Sequence, residues 1–178
     1  MGAMPWQHEV PWQPEVGAAL RALQADEFRH RYDLSRELEK WRDDAEQALK
    51  AEQESGDRFG LAATWFEQLK TIADVTSKPL PQNTQEQIES LRRVLPEGYG
   101  GVLDVTTVDK AGGVHVVRPL TPQQREELFG TARPTLAALR KSLHTVMGQL
   151  DRGQSVAVTG YDESGTPTHW VFVGYTVD

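Results

Sequence analysis

The chain has no cysteine. Disulfides, thiolate metal sites and a cysteine nucleophile are therefore excluded together. No apolar run approaches the ~18 residues of a membrane span, and no charged-then-apolar signal peptide opens the sequence. Basic charge is scarce as well. The 26 acidic and 19 basic side chains leave a formal net charge of -7, so the chain as a whole does not favour a phosphate backbone. Glycine-rich phosphate loops, a serine elbow and the histidine-carboxylate spacing of zinc helices are all missing. What remains is an acidic, cysteine-free chain of 178 residues. That length suits one domain, or one domain with a helical appendage. The reading is of a cytoplasmic protein without a membrane association, whose acidic surface favours solubility and a basic partner.

Met1-Gly2-Ala3 reads as a vector-derived leader and Met4 as the natural start, so residues 1–4 are set apart. Between Pro5 and Pro14 stand three prolines, with Trp6 and Trp12. Proline blocks helix, which predicts an extended arm or edge strand anchored by its tryptophans. Val16, Ala19, Leu20, Leu23 and Phe28 then mark one face of a helix over 15–30. Residues 5–33 are assigned to the core on this basis. Leu34, Leu38, Trp41, Ala45 and Ala48 follow at steps of four and three, a short heptad-like seam. Ser55-Gly56-Asp57 signals a turn, after which Leu61, Trp65, Leu69 and Ile72 resume the stripe. The pattern predicts an inserted helical hairpin over 34–76 that buries Trp41 and Trp65.

Residues 77–178 read as an α+β core. Pro79 and Pro81 mark a linker, and Thr84 with Gln87 has the capping-box pattern before Ile88, Leu91 and Leu95. Pro96 and Gly98 would end that helix. Strands are predicted at Val102–Val108, Val114–Arg118, Ser155–Tyr161 and Thr168–Val177. Thr121 caps a short helix with Pro122 at its first position, ended by Gly130. A second helix starts at Thr135 and runs along Leu136, Leu139, Leu143, Val146 and Leu150 toward Gly153. The expected architecture is a small, mostly antiparallel sheet of about four strands packed by helices, with the helical hairpin N-terminal to it.

The segments Gly101-Val102-Leu103-Asp104-Val105, Pro119-Leu120-Thr121, Phe129-Gly130-Thr131, Arg133-Pro134-Thr135, Arg152-Gly153-Gln154 and Val171-Phe172-Val173-Gly174-Tyr175 resemble a group of small uncharacterised bacterial proteins. The stretch Ala18-Ala19-Leu20-Arg21-Ala22-Leu23 with Glu27-Phe28 is similar to that group's opening helix. The resemblance implies an intact domain and brings no activity with it. Residues 32–75 look additional to the group. A more local resemblance links Gln149 to Thr159, a helix end, a glycine and a hairpin, to the Phd/YefM antitoxins. In that family the pattern lies near the N-terminus and a toxin-wrapping tail follows.

No side-chain constellation announces a reaction, a cofactor or a metal. His8, His30, His115, His144 and His169 are scattered. His115 and His169 stand in predicted strands, where the sheet can bring them together, and packing is their expected role. Asp162 and Glu163 read as turn residues. Asp104 interrupts a strand-like run and is the carboxylate to watch. These features point to a non-enzymatic protein–protein interaction protein, of immunity or antitoxin kind, that masks a partner. Its contact candidates are Glu37, Asp43, Asp44 and Glu46, off the hairpin seam. One alternative is a DNA-binding autoregulator using Arg133, Arg140 and Lys141, because residues 118–152 carry a local excess of three positive charges. The other is a small-molecule-binding protein or enzyme with a pocket near Asp104, Arg118, Tyr161 and Tyr175.

Overall fold

The computed structural model of the chain describes residues 3–95, 98 and 100–177. Met1 and Gly2 of the expected leader, and Pro96 of the expected helix stop, lie outside the described residues. The chain forms two compact units, Met1–Gln24 with Glu97–Asp178, and Ala25–Pro96. The boundary falls inside the first helix.

The first unit holds a five-stranded sheet: β1 (Pro5–Pro11), β2 (Thr107–Val108), β3 (Val116–Pro119), β4 (Gln154–Tyr161) and β5 (Pro167–Tyr175). The spatial order is β1-β5-β4-β3-β2. β1 runs antiparallel to β5 and β5 to β4, whereas β4–β3 and β3–β2 are parallel. The class is α+β as expected, but the sheet is mixed and has five strands rather than about four. The proline-rich arm supplies the fifth. With a proline, which has no N–H to offer, at each end, it makes a short protected edge. Its ladder extends to Met4, whose N–H donates to Thr176 Oγ1 at 2.8 Å.

The parallel pairs follow from connectivity. β3 leaves into α5 (Pro122–Phe129) and α6 (Leu136–Met147) before β4 begins. A crossover of that length returns the chain parallel, as a tight hairpin cannot. The strand expected over Val102–Val108 is mostly a 3-10 turn, Gly101–Asp104, and only Thr107–Val108 pair. α6 stops at Met147, well before Gly153. Thr121 and Gln124 form the capping box of α5, with Pro122 at the first position and Gly130 as its left-handed C-cap.

Both sheet faces are covered. On one side Ala19, Leu20 and Leu23 of α1 (Val16–Arg31) join Val102, Val117, Ala157, Trp170 and Phe172. On the other, Leu139, Leu143 and Val146 of α6 meet Val156, Val158, Val171 and Val173. A strand buried on both faces reads as a continuous apolar run, which is why β4 and β5 were conspicuous. Trp6 lies across Gly174, where a Cβ would come within 2.6 Å of its ring and of Ser155. Trp6 is thus a packing anchor, while Trp12 keeps 37% of its surface exposed.

The second unit contains the rest of α1, then α2 (Leu34–Glu54), α3 (Ala62–Thr76) and α4 (Thr84–Val94). Leu34, Leu38 and Ala45 of the expected seam are buried, and Trp41 and Trp65 are half-buried. α2 and α3 pack together, and α4 packs on both, so the expected pair is part of a larger helical group. The N-cap of α4 is Asn83, not Thr84. Asn83 Oδ1 accepts the Gln85 N–H at 2.8 Å, and Gln87 Nε2 instead donates to the Pro81 carbonyl.

Candidate functional site

The four residues proposed as a pocket do not converge. Asp104 and Tyr175 line one cleft with His115 and Ser155, but its volume of about 10 Å³ admits no more than a single water. Asp104 sits on the 3-10 turn, not in a strand, and its Oδ2 accepts the Gly100 N–H at 2.9 Å. Arg118, on β3, belongs to two other clefts, of about 90 and 250 Å³. Tyr161 ends β4, five residues beyond Val156, the register partner of Arg118. That separation is about 17 Å along the strand.

Tyr161 is occupied structurally. Arg125 is buried, donates to the carbonyls of Ala132 (2.7 Å) and Leu120 (2.8 Å), and reaches Tyr161 Oη at 3.3 Å. Its guanidinium also lies 5.8 Å from the Tyr161 ring centre. Gln24 is another buried polar residue that sequence reading passed over. Its Nε2 donates to the carbonyls of Val102 and Val105, pinning the 3-10 turn to α1.

His115 and His169 do not meet. The His115 N–H bonds the carbonyl of Gly153, just before β4, while His169 is in register with Gly160 near its end. Among the described residues no group of three or more histidines or carboxylates is placed to hold a metal ion. No helix there is long and apolar enough to cross a membrane.

Of the three cations suggested for nucleic acid, Arg140 is committed elsewhere. Its Nε and Nη2 bond the two carboxylate oxygens of Glu9 at 2.8 and 2.6 Å, tying α6 to β1. Arg133 and Lys141 are exposed. The Arg140 hydrogen bonds hold the Glu9 carboxyl below the ordinary glutamate range against the opposing effect of burial, and the charges of Arg140 and His169 add to them. A depressed carboxyl contributes stability above its unfolded pKa and loses it as pH falls through the folded one. Glu9→Gln should therefore cost about 1 kcal/mol or less at neutral pH, because Arg140 is largely exposed. The wild-type and variant denaturation midpoints should converge on acidification below the glutamate range. A gap that persists or widens there would reject the assignment.

In the helical unit, Asp43, Asp44 and Glu46 are exposed and Glu37 is half-buried. Asp43 makes a loose surface pair with Arg42 at 3.7 Å. The turn between α2 and α3, with the start of α3, holds features that the charge pattern did not reveal. Phe59 is 71% exposed, Phe66 55% and Leu61 42%. The turn is held by local bonds: Asp57 Oδ1 accepts the Ala62 N–H at 3.0 Å, and Glu52 Oε2 accepts the Phe59 N–H at 3.5 Å. The Arg58 guanidinium lies 5.8 Å from the Phe59 ring centre.

The fold thus defines an α+β unit with a mixed five-stranded sheet and a separate helical unit. Neither family models nor curated proteins nor solved structures yield a match to this chain.

Proposed function

We propose that the protein binds another protein through its helical unit, with Phe59, Leu61 and Phe66 as the anchors. The observation that carries this reading is the exposure of three large apolar side chains within eight residues, Phe59 and Leu61 on a hydrogen-bonded turn and Phe66 on the helix that follows it. Single exposed apolar residues are ordinary, whereas such concentrations mark contact surfaces. Aromatic side chains dominate interface energetics when they fill a partner's pockets. α2 leads into this turn and carries seven acidic against four basic side chains. The partner is therefore a protein with apolar pockets inside a basic rim. Glu37, Asp43, Asp44 and Glu46 steer its approach, and masking, as immunity proteins and antitoxins practise it, is the form of action.

The test is recovery of partners by the tagged chain from its native organism, followed by binding kinetics. Phe59→Ser with Phe66→Ser should speed dissociation at least tenfold, in keeping with the loss of two aromatic anchors. Neutralising Asp43, Asp44 and Glu46 should instead slow association and flatten its salt dependence. A partner retained equally by the double serine variant overturns the anchors. Recovery of no protein partner overturns the reading itself.

A further inference from the structure

We infer that the groove around Arg118 is a binding site for a small organic monocarboxylate. The inference concerns the sheet unit alone and does not depend on a partner for the helical unit. Arg118 is half-buried on β3, and its side chain makes no hydrogen bond or ion pair among the described residues. Arg125 and Arg140, by contrast, are both engaged. A partly desolvated guanidinium without an acceptor has unused bonding capacity, and a planar carboxylate matches its fork in a bidentate way.

The surroundings are built rather than incidental. The Arg118 stem lies across the Ala111–Gly113 turn, where a Cβ on Gly112 would stand 3.3 Å from Arg118 Cδ. Gly112 also has φ +73, a left-handed backbone that favours glycine. The clefts on either side both include Arg118 in their walls. Each also contains a glutamine whose amide is fixed in one sense. Gln154 Oε1 accepts the Asp151 N–H at 3.1 Å, and Gln124 Oε1 accepts the Thr121 N–H at 2.9 Å. A backbone N–H only donates, so the atom facing it is the carbonyl oxygen. Both Nε2 groups are left as donors without a partner among the described residues.

The walls also set the class of ligand. The lining of both clefts is mainly polar, with Val156 and Leu120 buried in the core behind it, so the apolar contact for a small hydrocarbon body comes from the half-buried Leu150 in one cleft and Leu128 in the other. Glu127 lines the larger cleft, its Oε1 accepting from Gln123 Nε2 at 3.1 Å. With one cation and one carboxylate among its lining residues, the larger cleft suits a single negative charge and disfavours a phosphate dianion. Cleft volumes of about 90 and 250 Å³ suit a molecule of metabolite size rather than a macromolecule.

The probe is phenylacetate, titrated into the full ¹⁵N-labelled chain, with phenylacetamide, phenyl phosphate and a free tripeptide as comparisons. Phenylacetate should shift the Arg118 Nε–H and the side-chain amides of Gln124 and Gln154, with a Kd of about 1 mM or tighter. Phenylacetamide should bind at least tenfold more weakly. Arg118→Gln should abolish these shifts while the remaining spectrum and the melting midpoint stay unchanged. Should that variant misfold, Arg118→Lys keeps the stem and a point charge and should still lose about tenfold. The proposal is overturned by an equal response to the amide, by shifts that survive in a folded Arg118 variant, by tighter binding of phenyl phosphate or of the tripeptide, or by no response at these groups.

Discussion

Replacing Phe172 with alanine should destabilise the protein by about 3–5 kcal/mol, the cost of emptying a closely packed aromatic site. Phe172 has no exposed surface. It stands on β5 between Ala157 of β4 and His8 of β1. Its cluster includes Ala19, Leu20 and Leu23 of α1, Val102 of the 3-10 turn and Val105 at that turn's end. These neighbours come from four different elements, so none can collapse into the void without leaving its own sheet or helix register. A domain is stable by only ~5–15 kcal/mol, so the loss is a large share of the total. The thermal midpoint should fall on the order of 10 °C. Phe172→Leu retains most of the volume and should cost clearly less. A loss below about 1 kcal/mol for alanine would mean that the α1 face of the sheet is not packed as described.

The parts of the fold that could be read from sequence are those whose signals are local. Thr121 with Pro122 and Gly130 marks both ends of α5, and the turn around Asp162 marks the β4–β5 hairpin. There Asp162 Oδ1 accepts both the Ser164 and Thr166 N–H groups at 2.9 Å. The alternating tryptophan-proline arm was legible as extended chain for the same reason. What was not legible depends on distant partners. Val102-Leu103-Asp104-Val105 has strand-like composition, but positive φ at Gly100 and Gly101 and the grip of Gln24 coil it into a 3-10 turn. The parallel pairing of β3 with β4 is a property of the crossover and not of either strand's residues.

The same distinction governs the candidate site. Arg118 could be singled out as a cation inside a strand. Gln124 and Gln154 could not, because the direction of an amide is fixed only by the backbone N–H it faces. Conversely, Tyr161 and Asp104 looked available in sequence and are bonded in the structure. On the helical unit, the acidic positions were evident from their place off the seam. The exposure of Leu61 was not, since it belongs to the Leu61-Trp65-Leu69-Ile72 stripe and such a stripe ordinarily predicts burial, and Phe59 and Phe66, off that stripe, drew no reading of their own.

The segments Pro119-Leu120-Thr121 and Arg133-Pro134-Thr135 are joined physically in the structure, and the joint centres on Arg125. Its side chain joins the carbonyl of Leu120, beside the α5 cap, to that of Ala132, just before Arg133-Pro134-Thr135, while meeting the Tyr161 hydroxyl. One residue thereby ties the end of β3, the α5–α6 connection and the end of β4. Arg125→Met keeps the apolar length of the stem and removes every donor. The Leu120 and Ala132 carbonyls then lose their Arg125 partner at a buried site, and each unmet group costs about 1–3 kcal/mol. The variant should lose roughly 2–4 kcal/mol in total, since partial rehydration of the connection offsets some of the loss. Arg125→Lys should recover only part of this, because a single ammonium cannot span both carbonyls and the phenol. Chemical denaturation with native-state hydrogen exchange would check both points. Exchange should accelerate first at the Leu120–Thr135 amides, ahead of the β4–β5 ladder. If Arg125→Met melts like the wild type, or if lysine restores it fully, the guanidinium is not the tie that holds these segments.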